Sequence, residues 1–139
     1  LDDAFTNKEF IPRIRRRNNT TVKAAILDQT VLAGVGNIYA DESLWMTKLH
    51  PATRIRDISD EQLAEFLHNI KSVLALSIEK GGSTDKNYVD AEGKKGSYLK
   101  FANVFRLDGR PCPRCGTTIE KSKVAGRGTH TCPTCQVVQ

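Results

Sequence analysis

Four cysteines stand in two matching motifs, CPRC at 112–115 and CPTC at 132–135, with sixteen residues between the pairs. Two thiolates from one tight knuckle, met by two more across a short hairpin, are what a tetrahedral zinc ion requires. Cys112, Cys115, Cys132 and Cys135 are therefore the candidate ligands of one structural zinc. With every position taken by protein, none is left open for catalysis. The region holds too few apolar residues for a core of its own, so the metal must supply its folding energy. Two other readings share these residues. One is a pair of disulfides, which the lack of a secretion signal disfavours. The other has His130 replacing one cysteine as ligand.

Between the cysteine pairs, Thr117–Lys123 and Thr129–Thr131 read as two short strands, with Ala125-Gly126-Arg127-Gly128 as the turn. Arg127 then sits at the tip of a metal-pinned hairpin. Its planar fork of donors suits phosphate, although an exposed turn arginine fits the spacing equally well. A second candidate lies in VLAGVGNIYADESLW, residues 31–45, where an apolar run meets Gly34 and Gly36 and then Asn37. This is either a packing turn or a turn built for close approach by a ligand. For the second reading, a helix starting at Asn37 offers unpaired N–H groups and a positive dipole end. Gly36 removes the side chain that would obstruct contact, and Asn37 is a good N-cap residue.

The charge pattern points the same way. The net charge is +5, and it is clustered. Residues 13–23 hold Arg13, Arg15, Arg16, Arg17 and Lys23 with no acid, and residues 94–139 hold nine Lys and Arg against Asp108 and Glu120. Two basic regions suit a polyanion such as nucleic acid, while a solvated surface gives the same composition. No apolar run approaches the roughly 20 residues of a membrane span. The chain opens Leu-Asp-Asp, with neither an initiator Met nor a basic-then-apolar leader, as expected of a fragment or a processed product. No Ser/His/Asp set emerges. Asp41 and Glu42 share a helix face, as solvated or core-capping carboxylates, or with Glu42 at the edge of a pocket.

The elements that must position these residues are mainly α. Thr6-Asn-Lys-Glu9 fits a capping box, with Phe5 and Phe10 as its staple. Pro12 then either kinks that helix or marks its true start. After the Asn18–Thr21 break and its N-cap, residues 22–29 form a short helix with Val22, Ala25 and Ile26 inward. The helix from Asn37 stops before His50-Pro51. Ser59-Asp-Glu-Gln62 is another capping box, opening a long helix striped by Leu63, Phe66, Leu67, Ile70, Leu74 and Ile78 and closed by Lys80-Gly81-Gly82. Residues 98–107 alternate like a strand. The expected organisation is a helical domain over 1–83, a polar loop over 84–97 and a zinc-ribbon domain over 98–139, as separate structural units.

Together the pieces resemble a known family. LDQTVLAGVGNIYADESLW is similar to the helix–two-turn–helix signature of bacterial formamidopyrimidine-DNA glycosylases, RRRNNTTVKAAILDQ to the stretch leading into it, and GRPCPRCGTTIEKSKVAGRGTHTCPTCQ to that family's C-terminal zinc finger. The resemblance covers essentially the whole chain but only the C-terminal half of such an enzyme. It implies a fold of a helix–two-turn–helix bundle followed by a β-hairpin zinc ribbon. It implies that Lys23, Gly36, Asn37 and Arg127 face DNA, with Lys23, Asn37 and Arg127 on phosphates beside a lesion. The loop residues Tyr88, Val89 and Gly93 close over a flipped oxidised purine. The parent activity implied is removal of formamidopyrimidine and 8-oxoguanine from double-stranded DNA, followed by lyase cleavage at the abasic site. The nucleophile is the N-terminal proline amine of a preceding β-sandwich domain. Leu1 is not that proline, so no catalytic residue is expected in this chain, and alone it should be inactive. A monomer in the bacterial cytoplasm is expected. The alternative is a non-catalytic zinc-ribbon nucleic-acid-binding module. The chain departs from the family pattern at Thr131, where an aromatic is common, and at Arg106, where a glycine is common.

Overall fold

A computed structural model describes residues 7–28, 36–79 and 102–138. In chain order these form α1 (Asn7–Arg15), α2 (Val22–Leu27), α3 (Asn37–Thr47), a 3-10 turn (Ile55–Asp57), α4 (Asp60–Glu79), and strands β1 (Glu120–Val124) and β2 (Arg127–Thr131). α1 runs through Pro12 and begins well before it, which sets aside the later start. Thr6 and Phe5, the rest of the first capping motif, lie outside the described residues, as do Gly34, Lys80-Gly81-Gly82 and the whole 84–97 loop with Tyr88, Val89 and Gly93.

α2 is capped by Thr21, whose hydroxyl accepts from the Ala24 amide at 3.3 Å. It ends at Leu27, two residues sooner than expected, because Asp28 is already extended. α4 opens with the reciprocal box its sequence requires. Ser59 Oγ accepts from the Gln62 amide and Gln62 Oε1 accepts from the Ser59 amide, both at 3.1 Å. The α4 stripe is buried at Leu63, Phe66, Leu67 and Ile70. It meets Phe10 and Ile14 from α1, Val22 and Ile26 from α2, and Ala40 and Leu44 from α3 in one core. Phe10 and Phe66 pack edge to face with centroids 6.4 Å apart. α3 stops at Thr47, where Lys48 turns left-handed at φ 61° and its amide caps Leu44 and Trp45 carbonyls. The chain then reaches Pro51 without forcing the residue before it into a helix.

The strand expected over 98–107 is absent among its described residues: 102–107 turn instead. The cause is Glu42. Its carboxylate accepts from the amides of Asn103, Val104 and Phe105 at 2.8–3.0 Å, drawing three successive N–H groups to one point, which no extended strand can do. The hairpin is antiparallel with Val124 opposite Arg127. Its turn is therefore the two residues Ala125 and Gly126, both with positive φ (57° and 73°), a geometry that matches strand twist. The expected four-residue turn is shorter by two, and Arg127 begins β2 instead of crowning the tip. A second apolar cluster of Trp45, Val104, Cys112, Ile119 and Cys132 lies between α3 and the cysteine knuckles.

Candidate nucleic-acid interface and its zinc support

The four cysteines come together. Their Sγ atoms all lie within 4.8 Å of one another, with Cys115–Cys132 at 3.4 Å, Cys115–Cys135 at 3.5 Å and Cys112–Cys135 at 4.0 Å. A tetrahedron of sulfurs about 2.3 Å from zinc has edges of about 3.8 Å, so the set fits zinc. All four cysteines are free, and these spacings are far beyond a disulfide bond. His130 is no ligand: its ring is committed to Asp41, Nδ1 to Oδ2 at 3.1 Å. The side chain and backbone of Thr117 hold the Cys115 thiol down at about 6, whereas burial pushes Cys132 up to about 12. Bound zinc deprotonates such thiols outright.

The hairpin is bolted to α2 and α3 through the backbone around Arg127. Lys23, fully buried, donates to the Gly128 carbonyl at 3.1 Å and to Thr129 Oγ1 at 2.8 Å. Thr129 Oγ1 in turn donates to the Arg127 carbonyl at 2.9 Å. Asn37 Nδ2 donates to the same Gly128 carbonyl at 3.1 Å. Asp41 completes the arrangement. One carboxylate oxygen lies 2.7 Å from Lys23 Nζ, and the other accepts from the His130 amide at 3.1 Å. Burial lowers the Lys23 pKa, the Asp41 charge opposes this, and the nearby Arg127 charge adds to the lowering.

The residues singled out in the sequence occupy distinct settings. Lys23 is at 0% exposure, and its ammonium is engaged by the hairpin and by Asp41. Asn37 is the first residue of α3 and not its N-cap. Gly36 is the cap, extended at φ −93°, and brings no side chain to cap the helix. A Cβ at Gly36 would meet nothing within 4 Å among the described residues, so neither conformation nor packing against those residues demands glycine there. Arg127 is exposed on β2 beside this helix end. Of the expected basic cluster, Arg15 is spent on the Ile55 and Ile58 carbonyls and Asp60, and Arg17 on Asp28.

Asp41 and Glu42 resolve as buried structural carboxylates, the core-capping reading. Three residues that bind the two halves drew no structural role from the sequence. Trp45 donates to Cys112 Sγ, Arg114 reaches the Trp45 carbonyl, and Gln136 donates to the Leu49 carbonyl. Two adjacent acids, the only charges in α3, were a usable signal, because buried charge must find partners. Arg106, at the position where glycine is common, takes φ 61° and lays its guanidinium 5.3 Å from the Phe105 ring. The left-handed backbone explains the glycine preference.

A compact helical unit carrying a four-cysteine zinc hairpin, joined through buried hydrogen bonds, defines the class: a helix–two-turn–helix protein with a zinc finger. Residues 1–88 match the formamidopyrimidine-DNA glycosylase H2TH domain, and residues 109–137 match the zinc finger found in FPG and IleRS. The formamidopyrimidine-DNA glycosylase of Herpetosiphon aurantiacus is 47% identical over 136 residues, covering 98% of this chain and 50% of that protein. The crystal structure of the MutM (Fpg) protein from Thermus thermophilus superposes with TM-score 0.89 at 39% identity, covering all of this chain and 53% of that one. Lactococcus lactis Fpg in complex with DNA containing an abasic site gives TM-score 0.85 at 38% identity, covering 96% and 48%. The chain belongs to the formamidopyrimidine-DNA glycosylase family, and it spans about half the length of the curated relatives it matches.

Proposed function

We propose that this chain is the DNA-gripping half of a base-excision-repair glycosylase and abasic-site lyase acting on oxidised purines, formamidopyrimidine and 8-oxoguanine. Arg127 and the backbone amides at the start of α3, around Gly36 and Asn37, hold phosphates beside the damaged nucleotide. Lys23 fixes the hairpin from below. Tyr88, Val89 and Gly93 belong to a loop that covers the extruded base. Extrusion costs a few kcal/mol of unstacking, which a firm phosphate grip offsets. The amine nucleophile belongs to a preceding domain, so this chain alone makes no cut. The parent works as a monomer in the bacterial cytoplasm.

One observation carries the reading: Lys23 and Asn37 converge on the Gly128 carbonyl, which sets exposed Arg127 next to a helix N-terminus whose N-cap is a glycine. Exposed arginine and helix N–H groups together form a phosphate cradle. The Lactococcus lactis relative bound to abasic-site DNA adds weight to a damaged duplex as partner. The test is binding of the zinc-loaded chain to a short duplex with a stable abasic analogue and to an undamaged duplex, followed by incubation with an oxidised-guanine duplex. Tighter binding to the abasic duplex without strand cleavage is expected. Equal binding to both would remove damage recognition from this half, and cleavage would overturn its proposed inactivity.

A further inference from the structure

The cysteine cluster is wrapped by hydrogen-bond donors, and two of them form one unit. Trp45 Nε1, on α3, donates to Cys112 Sγ at 3.3 Å. Arg114, inside the first knuckle, donates through Nε to Cys135 Sγ at 3.2 Å and through its backbone amide to Cys112 Sγ at 3.4 Å. The Arg114 guanidinium also lies over the Trp45 ring, 4.0 Å from its centroid, and donates to the Trp45 carbonyl at 2.8 Å. A zinc held by four thiolates leaves an excess of negative charge on the sulfurs. An indole N–H and a guanidinium are suited to offset it, and the stack fixes each against the other.

We propose that Trp45 and Arg114 are positioning residues for the zinc: their donors hold Cys112 Sγ and Cys135 Sγ in place and tie metal occupancy to the C-terminal end of α3. The opposite end of that helix presents Gly36 and Asn37. The metal is thereby coupled to the helical unit through side chains that are not ligands. Neither residue needs nucleic acid for this role.

The test measures zinc affinity by competition with a chromogenic chelator, and the visible spectrum of the Co(II)-substituted chain. The variants are Trp45→Phe, which keeps a ring but loses the N–H, and Arg114→Gln, which removes the guanidinium at an exposed position. Each variant should bind zinc about 10-fold to 100-fold more weakly. Trp45→Phe should also move the sulfur-to-cobalt charge-transfer band to longer wavelength, because a sulfur stripped of its hydrogen bond gives up charge more easily. A merely structural tryptophan would leave that band in place. Wild-type zinc affinity in Arg114→Gln, or an unmoved band in Trp45→Phe, would overturn the proposal.

Discussion

Single residues carry more than one demand here, and Gly36 separates them. Its backbone is extended and the space around its missing Cβ is open among the described residues, so alanine can be housed. Gly36→Ala should cost about 1 kcal/mol at most, the difference between glycine and alanine at a helix cap. It should still weaken binding to an abasic duplex, measured by fluorescence anisotropy, because in the proposed grip the methyl group would intrude where a phosphate sits. His50 makes a different prediction. Its Nδ1 accepts from the Ala52 amide at 3.0 Å, and burial lowers its pKa from 6.5 against the opposing charge of Glu120. A depressed folded-state pKa means that the unfolded chain binds the proton first. This contribution is full above pH 6.5 and is lost as the pH falls through the lowered value. Chemical denaturation between pH 7.5 and 5 should show the decline, and His50→Asn should flatten that part of it.

At the scale of elements, the join between α2, α3 and β2 decides how Lys23 acts. Removing its charge alone would strand Asp41 in the interior, a loss of about 3–5 kcal/mol. Lys23→Met is therefore paired with Asp41→Asn, which still offers the His130 amide an acceptor. The pair should weaken DNA binding in the wild-type background. In an Arg127→Ala background it should cost less than about threefold, because neighbouring groups acting through one contact are not additive. A full further loss would give Lys23 a phosphate contact of its own. The sequence disclosed the elements unevenly, for physical reasons. Caps at Thr21 and Ser59 and the α4 stripe are local patterns, visible in a few residues. The zinc ligands were legible because two knuckles at fixed spacing carry their own geometry. The bend over 102–107 was not, since it is imposed by Glu42, sixty residues away. Nor was the inward turn of Lys23, since nothing in its neighbours names Asp41 or Gly128 as partners.

For the whole molecule, the sequence reads as two units joined by a loop, yet buried charges cross between them. Asp41 needs His130, Glu42 needs the 103–105 amides, and Lys23 needs the Gly128 carbonyl. Losing the zinc should loosen the hairpin and take the Gly128 carbonyl from Lys23 and the His130 amide from Asp41. Stripping the metal should therefore lower the helical melting midpoint, followed by far-UV circular dichroism, by at least about 10 °C. An unchanged helical midpoint would show that the helical core stands alone.

The central claim is that Arg127, held by this join, grips the DNA backbone. The most direct measurement is the slope of log affinity against log salt for an abasic duplex, with wild-type chain and with Arg127→Ala. Loss of one phosphate contact should reduce the slope by about 0.9. An identical slope, with or without weaker binding, would contradict the account and move Arg127 off the phosphate.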